Sequence, residues 1–404
     1  MSHTIILTED DRIMVCGHNN YDQLGLAYEE YQNIFIELKL KTNKKIKQAA
    51  CGWAHSVLLT VDNCLIVFGR NSGGQLGIGH NDDICGSAML NFDRHIKQIC
   101  CDSYHTIVLA DDGTLIVFGN NRSSLQELKF DSVISQVACG EFHTILLADN
   151  NDLIVFGHNS CGQLGLGHYN DQLGLGYYDN QNCPQLLKLG ENISQIACGG
   201  FHTVVLTDNN NLYVFGDNSD GQLGLGHNKN QNAPQLLKIG EKIRQICCAK
   251  NHTVLLLDNG DMMVFGDNTS GQLGLGHNEA VNVPQLLKTG HSITQIASGE
   301  WHTLALTDTS DLMVFGHNCY GQLGLGHYSN QTTPQLLPNI KVKLLMNNTL
   351  ISTSAWSPEY HNQFSLKFHS SIITFLLINR SFSRITICIF PNMYVLKLLS
   401  NVIN

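Results

Sequence analysis

Positive charge is scarce in this sequence of 404 residues, which has 24 lysines and arginines against 34 aspartates and glutamates. Of the acidic residues, 33 lie within 1–345, the part that also contains every repeat described below. A protein that wraps the phosphate backbone of a nucleic acid needs clustered lysine and arginine. We therefore expect no direct nucleic-acid binding by this acidic part of the chain.

Long apolar runs are also absent, because the most apolar segment, near the C-terminus, is interrupted by Arg380 and Arg384. A membrane-spanning helix needs about 18 or more apolar residues in succession. The first ten residues lack the basic segment and apolar stretch of a secretory signal. The expectation is a cytoplasmic, or else nuclear, protein that is not secreted and has no membrane partner.

The chain has 14 cysteines but no C-x-x-C pair, the spacing typical of structural zinc sites. Without a secretory signal, reduced thiols are favoured over disulfides. Five cysteines recur in register, four residues before a repeated histidine, which is typical of small buried core residues. They are Cys51, Cys101, Cys139, Cys198 and Cys248.

What the sequence does contain is an internal repeat. The motif V-(F/C)-G occurs seven times, and the spacings between its glycines are 52, 50, 38, 59, 50 and 50 residues. A histidine followed by Thr or Ser lies 14 residues before each glycine, so one supersecondary unit is repeated. The histidines are His3, His55, His105, His143, His202, His252 and His302, and the glycines are Gly17, Gly69, Gly119, Gly157, Gly216, Gly266 and Gly316.

Each unit reads as a small antiparallel sheet. The segment HTVLLLDNGDMMVFG at 252–266 has two apolar runs around an Asp-Asn-Gly turn, which predicts a hairpin. Apolar segments such as KIRQICC predict a strand before each histidine, and PQLLK predicts an outer strand, where proline is tolerated at an edge. About four strands repeated seven times predict an all-β fold, a seven-bladed β-propeller.

A glycine-rich motif, N-x-x-G-Q-L-G-x-G, follows V-F-G in five copies, for example NSDGQLGLG at 218–226. Together with C-G-x-x-H-T, it closely resembles the repeats of the regulator of chromosome condensation family. The resemblance covers 1–345 and implies a propeller closed by strands from both chain ends. The segment 334–345 is then expected to complete the first blade, so that its deletion abolishes cooperative unfolding. Residues 346–404 match no repeat and form a separate extension, either a genuine appendage or a degenerate segment.

Two copies depart from the glycine-rich motif, and one copy that keeps it is lengthened. The first reads NNYDQLGLAYEEY and the third lacks the motif, so differently shaped loops are expected in both. In the fourth, QLGLGHYND at 163–171 is followed by QLGLGYYDN at 172–180. This tandem copy predicts a lengthened loop rather than an eighth repeat, since no second H-T or V-F-G accompanies it.

The seven histidines invite a metal-site or catalytic interpretation, because histidine is a common ligand and general base. Identical register in every repeat favours a structural role, and we expect a hydrogen bond within each blade. The glycine motif lacks the Lys-Ser/Thr of a phosphate-binding loop and opens no helix. We therefore expect no catalytic residue, no cofactor and no metal.

Residues that vary between copies are better candidates for recognition. The loop before each histidine presents aromatic side chains with charges beside them, as protein-binding surfaces often do. The alternative is that the rings only plug the mouth of the propeller. The candidate partner-binding residues are Trp53, Tyr104, Glu141, Phe142, Phe201, Lys250, Glu300 and Trp301.

The family resemblance implies two kinds of function. Founding members exchange guanine nucleotides on a Ran-type small GTPase through one propeller face and a protruding β wedge, while others are protein-binding modules in ubiquitin-ligase and trafficking proteins. We predict a non-catalytic scaffold that binds another protein, with nucleotide exchange on a small GTPase as the alternative. Sugar binding by a lectin-like propeller is a third class. The basic tail of chromatin-binding members has no counterpart in the opening MSHTIILTEDD.

Overall fold

The computed structural model describes residues 2–28, 30–119, 122–168 and 184–345. The tandem copy at 172–180 and the extension 346–404 lie outside the described residues. Within the described part, no helix is long and apolar enough to cross a bilayer. The strands are β1 His3–Thr8, β2 Ile13–Gly17, β3 Gln32–Glu37, β4 Ile46–Cys51, β5 His55–Thr60, β6 Cys64–Gly69, β7 Ile84–Asn91, β8 Ile96–Cys101, β9 His105–Ala110, β10 Leu115–Gly119, β11 Arg122–Leu128, β12 Ile134–Cys139, β13 His143–Ala148, β14 Leu153–Gly157, β15 Gln185–Leu187, β16 Ile193–Cys198, β17 His202–Thr207, β18 Leu212–Gly216, β19 Gln231–Leu237, β20 Ile243–Cys248, β21 His252–Leu257, β22 Met262–Gly266, β23 Val281–Leu287, β24 Ile293–Ser298, β25 His302–Thr307, β26 Asp311–Gly316 and β27 Gln331–Leu345.

The strands form six antiparallel sheets in which neighbours in sequence pair with each other. Five sheets have four strands each, and we number them blade 2 (β4–β7) to blade 6 (β20–β23). The sixth sheet has seven strands in the order β24-β25-β26-β27-β1-β2-β3 and contains both blade 7 and blade 1. This arrangement confirms the predicted seven-bladed propeller, with the Gln-Leu-Leu of the PQLL segment in the outer strand of blades 4 to 7.

The ring is closed by β27, which belongs to two blades. Its first part pairs with β26, where Leu337 lies opposite Leu312, and its last part pairs with β1, where Val342 lies opposite Thr8. The last part therefore takes the place of a first strand in blade 1. Val342 is buried in the apolar cluster shared by blades 7 and 1. The predicted closure by residues of 334–345 is confirmed.

The core lies between blades, where the phenylalanine of V-F-G packs on the glycine-rich loop of the preceding blade. Phe265 of blade 6 is fully buried against Gly224, which has a φ of +68°. A Cβ added at Gly224 would lie 3.0 Å from the ring, so only glycine fits this contact without a shift. Burying one such ring stabilises the fold by roughly 1.5–3 kcal/mol.

A buried asparagine holds each glycine-rich loop in shape. The side-chain oxygen of Asn218 accepts a hydrogen bond from the backbone of Leu223 at 2.9 Å, and its amide donates to the carbonyl of His227 at 2.6 Å. Both bonds lie within the motif and its following histidine, which explains why asparagine opens it. The same pair of bonds is made by Asn19, Asn71, Asn159, Asn268 and Asn318.

The expectation of a different loop in the first copy is wrong. Asp22 and Ala27 adopt φ values of 55° and 61°, close to those of Gly74 and Gly79 at the same positions in blade 2. Non-glycine residues here accept left-handed backbone, and the asparagine bonds are kept. In the third copy the expectation holds, since β10 pairs directly with β11 at Gly119 and no glycine-rich loop intervenes.

Val342→Asp is expected to destabilise the propeller by about 3 kcal/mol or more, because it places an unpaired carboxylate in the closing core. The measurement is urea unfolding of the full chain followed by circular dichroism. Lys343→Ala is the control, because its side chain is exposed and its ion pair with Asp11 lies at the surface. Equal, small effects of both substitutions would contradict the closing role of β27.

Candidate functional site

The repeated histidines join one blade to the next. His202 of blade 5 lies with its Nε2 3.0 Å from the hydroxyl of Thr253 in blade 6, and that hydroxyl donates to the carbonyl of Gln222 at 2.9 Å. The threonine has one hydrogen and gives it to the carbonyl, so Nε2 must donate. The predicted hydrogen bond within each blade is wrong, because the partner belongs to the next blade. Equivalent pairs are His3–Ser56, His55–Thr106, His143–Thr203, His252–Thr303 and His302–Thr4.

These histidines are uncharged at neutral pH. Burial lowers their pKa to about 3, because no solvent or carboxylate stabilises an imidazolium there. The glycine of C-G-x-x-H-T makes room for the ring, since a Cβ at Gly199 would lie 2.0 Å from Cε1 of His202. A neutral ring committed to a neighbouring threonine does not serve as an acid or base. The five histidines with this pKa are His55, His143, His202, His252 and His302.

Blade 3 breaks the pattern. Asp102 stands where four other blades have this glycine, and its carboxylate lies 2.5 Å from Nδ1 of His105. The same carboxylate accepts hydrogen bonds from the backbone of Tyr104 and His105, both at 2.7 Å. Among the described residues, His105 makes no bond to Thr144 of blade 4. Blade 3 also lacks the glycine-rich loop whose carbonyl would orient that threonine. The histidine bond and the loop are therefore both missing at the interface between blades 3 and 4.

Glutamines form a second set of inter-blade contacts, which was not predicted from the sequence. The side-chain amide of Gln245 in β20 donates to the carbonyl of Ile296 in β24 at 2.8 Å and accepts from its backbone N–H at 3.0 Å. The two first strands are thereby tied together near the propeller axis. A fixed position seven residues before each repeated histidine was the available signal. The glutamines that bond across blades are Gln48, Gln98, Gln136, Gln195 and Gln245.

Four predicted aromatic residues meet on one face. Trp53, Tyr104, Phe142 and Phe201 come from successive blades 2 to 5, with ring centroids 6.1, 6.2 and 5.6 Å apart in that order. Trp53 is 40% exposed and the other three are partly exposed. The four rings form an arc because each one lies in the same loop of its blade, between the first and second strands. We call this end of the propeller, with these four rings and Trp301, the aromatic face.

Trp301 begins a second group of rings across blades 7 and 1. His317 lies 5.7 Å from Trp301, Tyr320 lies 5.8 Å from His317, and His18 lies 4.9 Å from Tyr320 by ring centroids. Tyr31 contacts both His18 and Tyr320. Of these residues, only Trp301 was predicted from the sequence.

Arg70 was missed as well, and it covers the rings of Tyr21 and Trp53 at 5.2 and 5.3 Å. Arg70, His18 and His317 share one position, directly after the V-(F/C)-G glycine. The backbone of this position donates to the loop before the repeated histidine, as from Arg70 to Ala54 at 2.8 Å. Variation at a fixed position beside a motif was the signal that could have revealed them.

The three predicted charged residues form one group at the centre of the face. The Lys250 ammonium lies 2.7 Å from Glu300 and 3.6 Å from Glu141, and it covers the ring of Trp301 at 5.3 Å. Burial raises the pKa of Glu141 despite the attraction of Lys250. Burial lowers the pKa of Lys250, but the two carboxylates outweigh it and the net pKa is raised. Asp102 lines the same cavity.

A second acidic group, not foreseen, lies at blades 5 and 6. Gln222 donates to Asp217 at 2.7 Å, Gln272 to Asp267 at 2.8 Å, and Asn251 to Asp220 at 2.9 Å. Burial raises the pKa of Asp220, and the nearby carboxylates of Asp267 and Asp217 add to the increase. Within the described part of the chain, no basic side chain forms an ion pair with any of the three. We call them the acidic patch.

Comparison with known proteins gives a consistent family match. The model of the RCC1-like domain matches residues 124–357, more than half of the chain. Models of the regulator of chromosome condensation (RCC1) repeat match 10–59, 46–75 and 96–124. The matches extend from the first copy of the repeat to the last and leave 76–95 unmatched between them.

Similarity to individual relatives is local. The secretion-regulating guanine nucleotide exchange factor of Bos taurus is 37% identical over 83 residues, and the ultraviolet-B receptor UVR8 of Arabidopsis thaliana is 33% identical over 81 residues. Each aligned segment covers 20% of this chain and 18% of the relative. The chain therefore matches less than a fifth of either relative's length.

Two solved structures share the fold over most of the chain. Prp20p of Saccharomyces cerevisiae superimposes with a TM-score of 0.72 at 18% identity, covering 83% of this chain and 88% of that one. Human WBSCR16 gives 0.71 at 24% identity, covering 81% and 94%. At these identities the similarity establishes the fold alone.

His202→Gln is expected to make the protein less sensitive to acid. Below pH 6.5 the unfolded histidine takes up a proton and the folded one, with a pKa of about 3, does not, so each buried histidine costs about 2 kcal/mol of stability at pH 5. The variant starts less stable at pH 7.5 because the bond to Thr253 is lost, but loses about 2 kcal/mol less on going to pH 5. Urea unfolding at both pH values measures this difference.

The exposed His291 provides the control, as His291→Gln, for the substitution itself. Parallel pH profiles of wild type and His202→Gln would contradict a buried neutral imidazole.

Proposed function

Because the RCC1-like match spans more than half of its length, this chain belongs to the RCC1 family of propellers, and we propose that it is a non-catalytic scaffold that binds another protein through the aromatic face. The observation that carries the proposal is the arc of partly exposed rings at positions that vary from blade to blade. Large aromatic side chains dominate the binding energy of many protein interfaces. The frame of the repeat is built from other residues, so the fold does not require rings here.

The alternative is that the rings only seal the mouth of the propeller. It makes a different prediction about how exposed these side chains are and whether every blade has the same residue type. A sealing residue is expected to be buried and similar in every blade, as the V-F-G phenylalanines are. Trp53 is instead 40% exposed, and blade 6 carries the polar Asn251 at the aromatic position. These two observations support recognition over sealing.

Lack of a catalytic role is part of the same proposal. Six of the seven repeated histidines bond to hydroxyl groups of neighbouring blades, so they are not available to a substrate. The partner is proposed to be a protein in the cytoplasm or nucleus.

Guanine-nucleotide exchange on a small GTPase is the second candidate, supported by relatives. One local match is named a secretion-regulating guanine nucleotide exchange factor, and the structure of Prp20p is described with its binding to Gsp1p and histones. An exchange factor is itself a protein that binds a protein partner. The two candidates therefore differ in what happens to the partner's nucleotide, and both use a propeller face.

Trp301→Ala combined with Phe142→Ala is expected to weaken binding of a captured partner by at least about tenfold, because two ring contacts are lost. The partner is identified by affinity capture with the full chain, and its dissociation constant is then measured for each variant. Val61→Ala, at an exposed apolar residue in the hairpin turn at the other end of blade 2, is the matched control. Unchanged affinity together with lowered stability of the double variant would show that the rings only seal the mouth.

A nucleotide-release assay separates the two candidates. Small GTPases loaded with a fluorescent guanine nucleotide are mixed with the full chain and excess unlabelled nucleotide, and a scaffold is expected to leave the release rate unchanged. Acceleration that disappears in the Trp301→Ala, Phe142→Ala double variant would replace the scaffold by the exchange factor. The Val61→Ala protein again controls for the handling of a variant.

A further inference from the structure

We propose that the partner of the aromatic face presents lysine or arginine side chains flanked by apolar ones, and that the acidic patch receives these cations. This inference deepens the proposed function and rests on it. Three observations support it: the excess of carboxylates on the face, the acidic patch without an ion pair among the described residues, and the contacts of Arg70 and Lys250 with rings of the face.

The face carries more negative than positive charge. Arg70 and Lys250 lie on this face together with six carboxylates. Lys250 is already engaged by Glu141 and Glu300, and Arg70 lies over two rings on the opposite side. A basic partner would gain from this field in both encounter rate and specificity. The carboxylates are Asp102, Glu141, Asp217, Asp220, Asp267 and Glu300.

The acidic patch fills the gap in the series of rings. Blade 6 has Asn251 where neighbouring blades have Phe201 and Trp301, and the Asn251 amide donates to Asp220. Side-chain amides hold the three carboxylates in place, but none of these amides neutralises charge. A cation delivered by a partner would pair with carboxylates that are already partly buried and oriented, which lowers the cost of forming the contact.

Two cationic side chains of this chain already contact rings of the face, and one of them also pairs with a carboxylate. Arg70 covers Trp53, and the Lys250 ammonium covers Trp301 while pairing with Glu300. A basic side chain from a partner therefore finds both elements it needs, a ring face and a carboxylate, within one surface. The remaining partly exposed rings, such as Phe142 and Phe201, suit the apolar residues beside it.

The charges disfavour two other occupants. A second copy of this chain bound face to face would bring the same excess of carboxylates together and repel. A nucleic acid would place phosphates against the acidic patch and would find few cations to neutralise them. A basic protein segment is the occupant that the charges favour.

The experiment is a selection of random 12-residue peptides on the immobilised full chain, followed by fluorescence-polarisation titration of the recovered peptides. Recovered sequences are expected to carry net positive charge with aromatic or aliphatic residues next to Lys or Arg. Asp217→Asn combined with Asp220→Asn should weaken their binding by about tenfold, and rising salt should weaken it further.

The control variant neutralises the same amount of charge at the other end of the propeller. Asp208→Asn combined with Asp308→Asn changes two exposed carboxylates in the hairpin turns of blades 5 and 7. Its peptide affinity should equal that of the wild type. Equal weakening by both pairs would mean a general charge effect and would overturn the proposed site.

The outcomes also separate this inference from the proposed function. Peptides that bind through Trp301 and Phe142 but carry no basic residue, or ignore Asp217 and Asp220, would keep the face and overturn the basic partner. Peptides insensitive to all four positions, or no recovered peptide, would count against the face itself. A dimer of the full chain in sedimentation velocity that Trp301→Ala dissociates would assign the face to a second copy.

Discussion

The hydrogen bond from a buried histidine to the next blade's hydroxyl constrains most of the repeat. The imidazole must be neutral and oriented, so glycine precedes it by three residues to make room, and the threonine after the next histidine receives it. The threonine's own hydrogen needs an acceptor, which the glutamine carbonyl of the glycine-rich loop provides. Three motifs far apart in sequence are thus parts of one contact, and this explains why they keep a fixed spacing.

A frame fixed in this way leaves the loops free to differ. The inter-blade bonds come from His, Thr, Gln and the loop carbonyls, and the motif glycines and asparagines shape the loops. The other residues before each histidine and after each V-F-G glycine are therefore free to vary. Rings and carboxylates occupy these positions, at the same end of every blade. Repetition of the frame therefore places non-repeating side chains side by side, as the loops of other propellers and solenoids do.

The sequence predicted the fold almost completely because the period, turn residues and motif offsets all report the same unit. It did not predict the cases in which a residue from another part of the chain occupies the space of a missing motif residue. Cys16 stands in V-C-G where a phenylalanine is expected, and Phe35 of β3 supplies the ring that packs on Gly324. Partners of the histidines were misassigned for a similar reason, since a fixed register cannot distinguish a contact within a blade from one to the next blade.

The interface between blades 3 and 4 shows how a lost contact and a gained one are connected. Without the glycine-rich loop, none of the described carbonyls orients Thr144 and the histidine of blade 3 makes no bond to it, so glycine is no longer required beside that histidine. Asp102 occupies that position and pairs with His105 at 2.5 Å, at the edge of the cavity that Glu141 and Glu300 also line. Release from the structural contact has thus added a carboxylate to the centre of the aromatic face, where its charge has the same sign as that of the acidic patch.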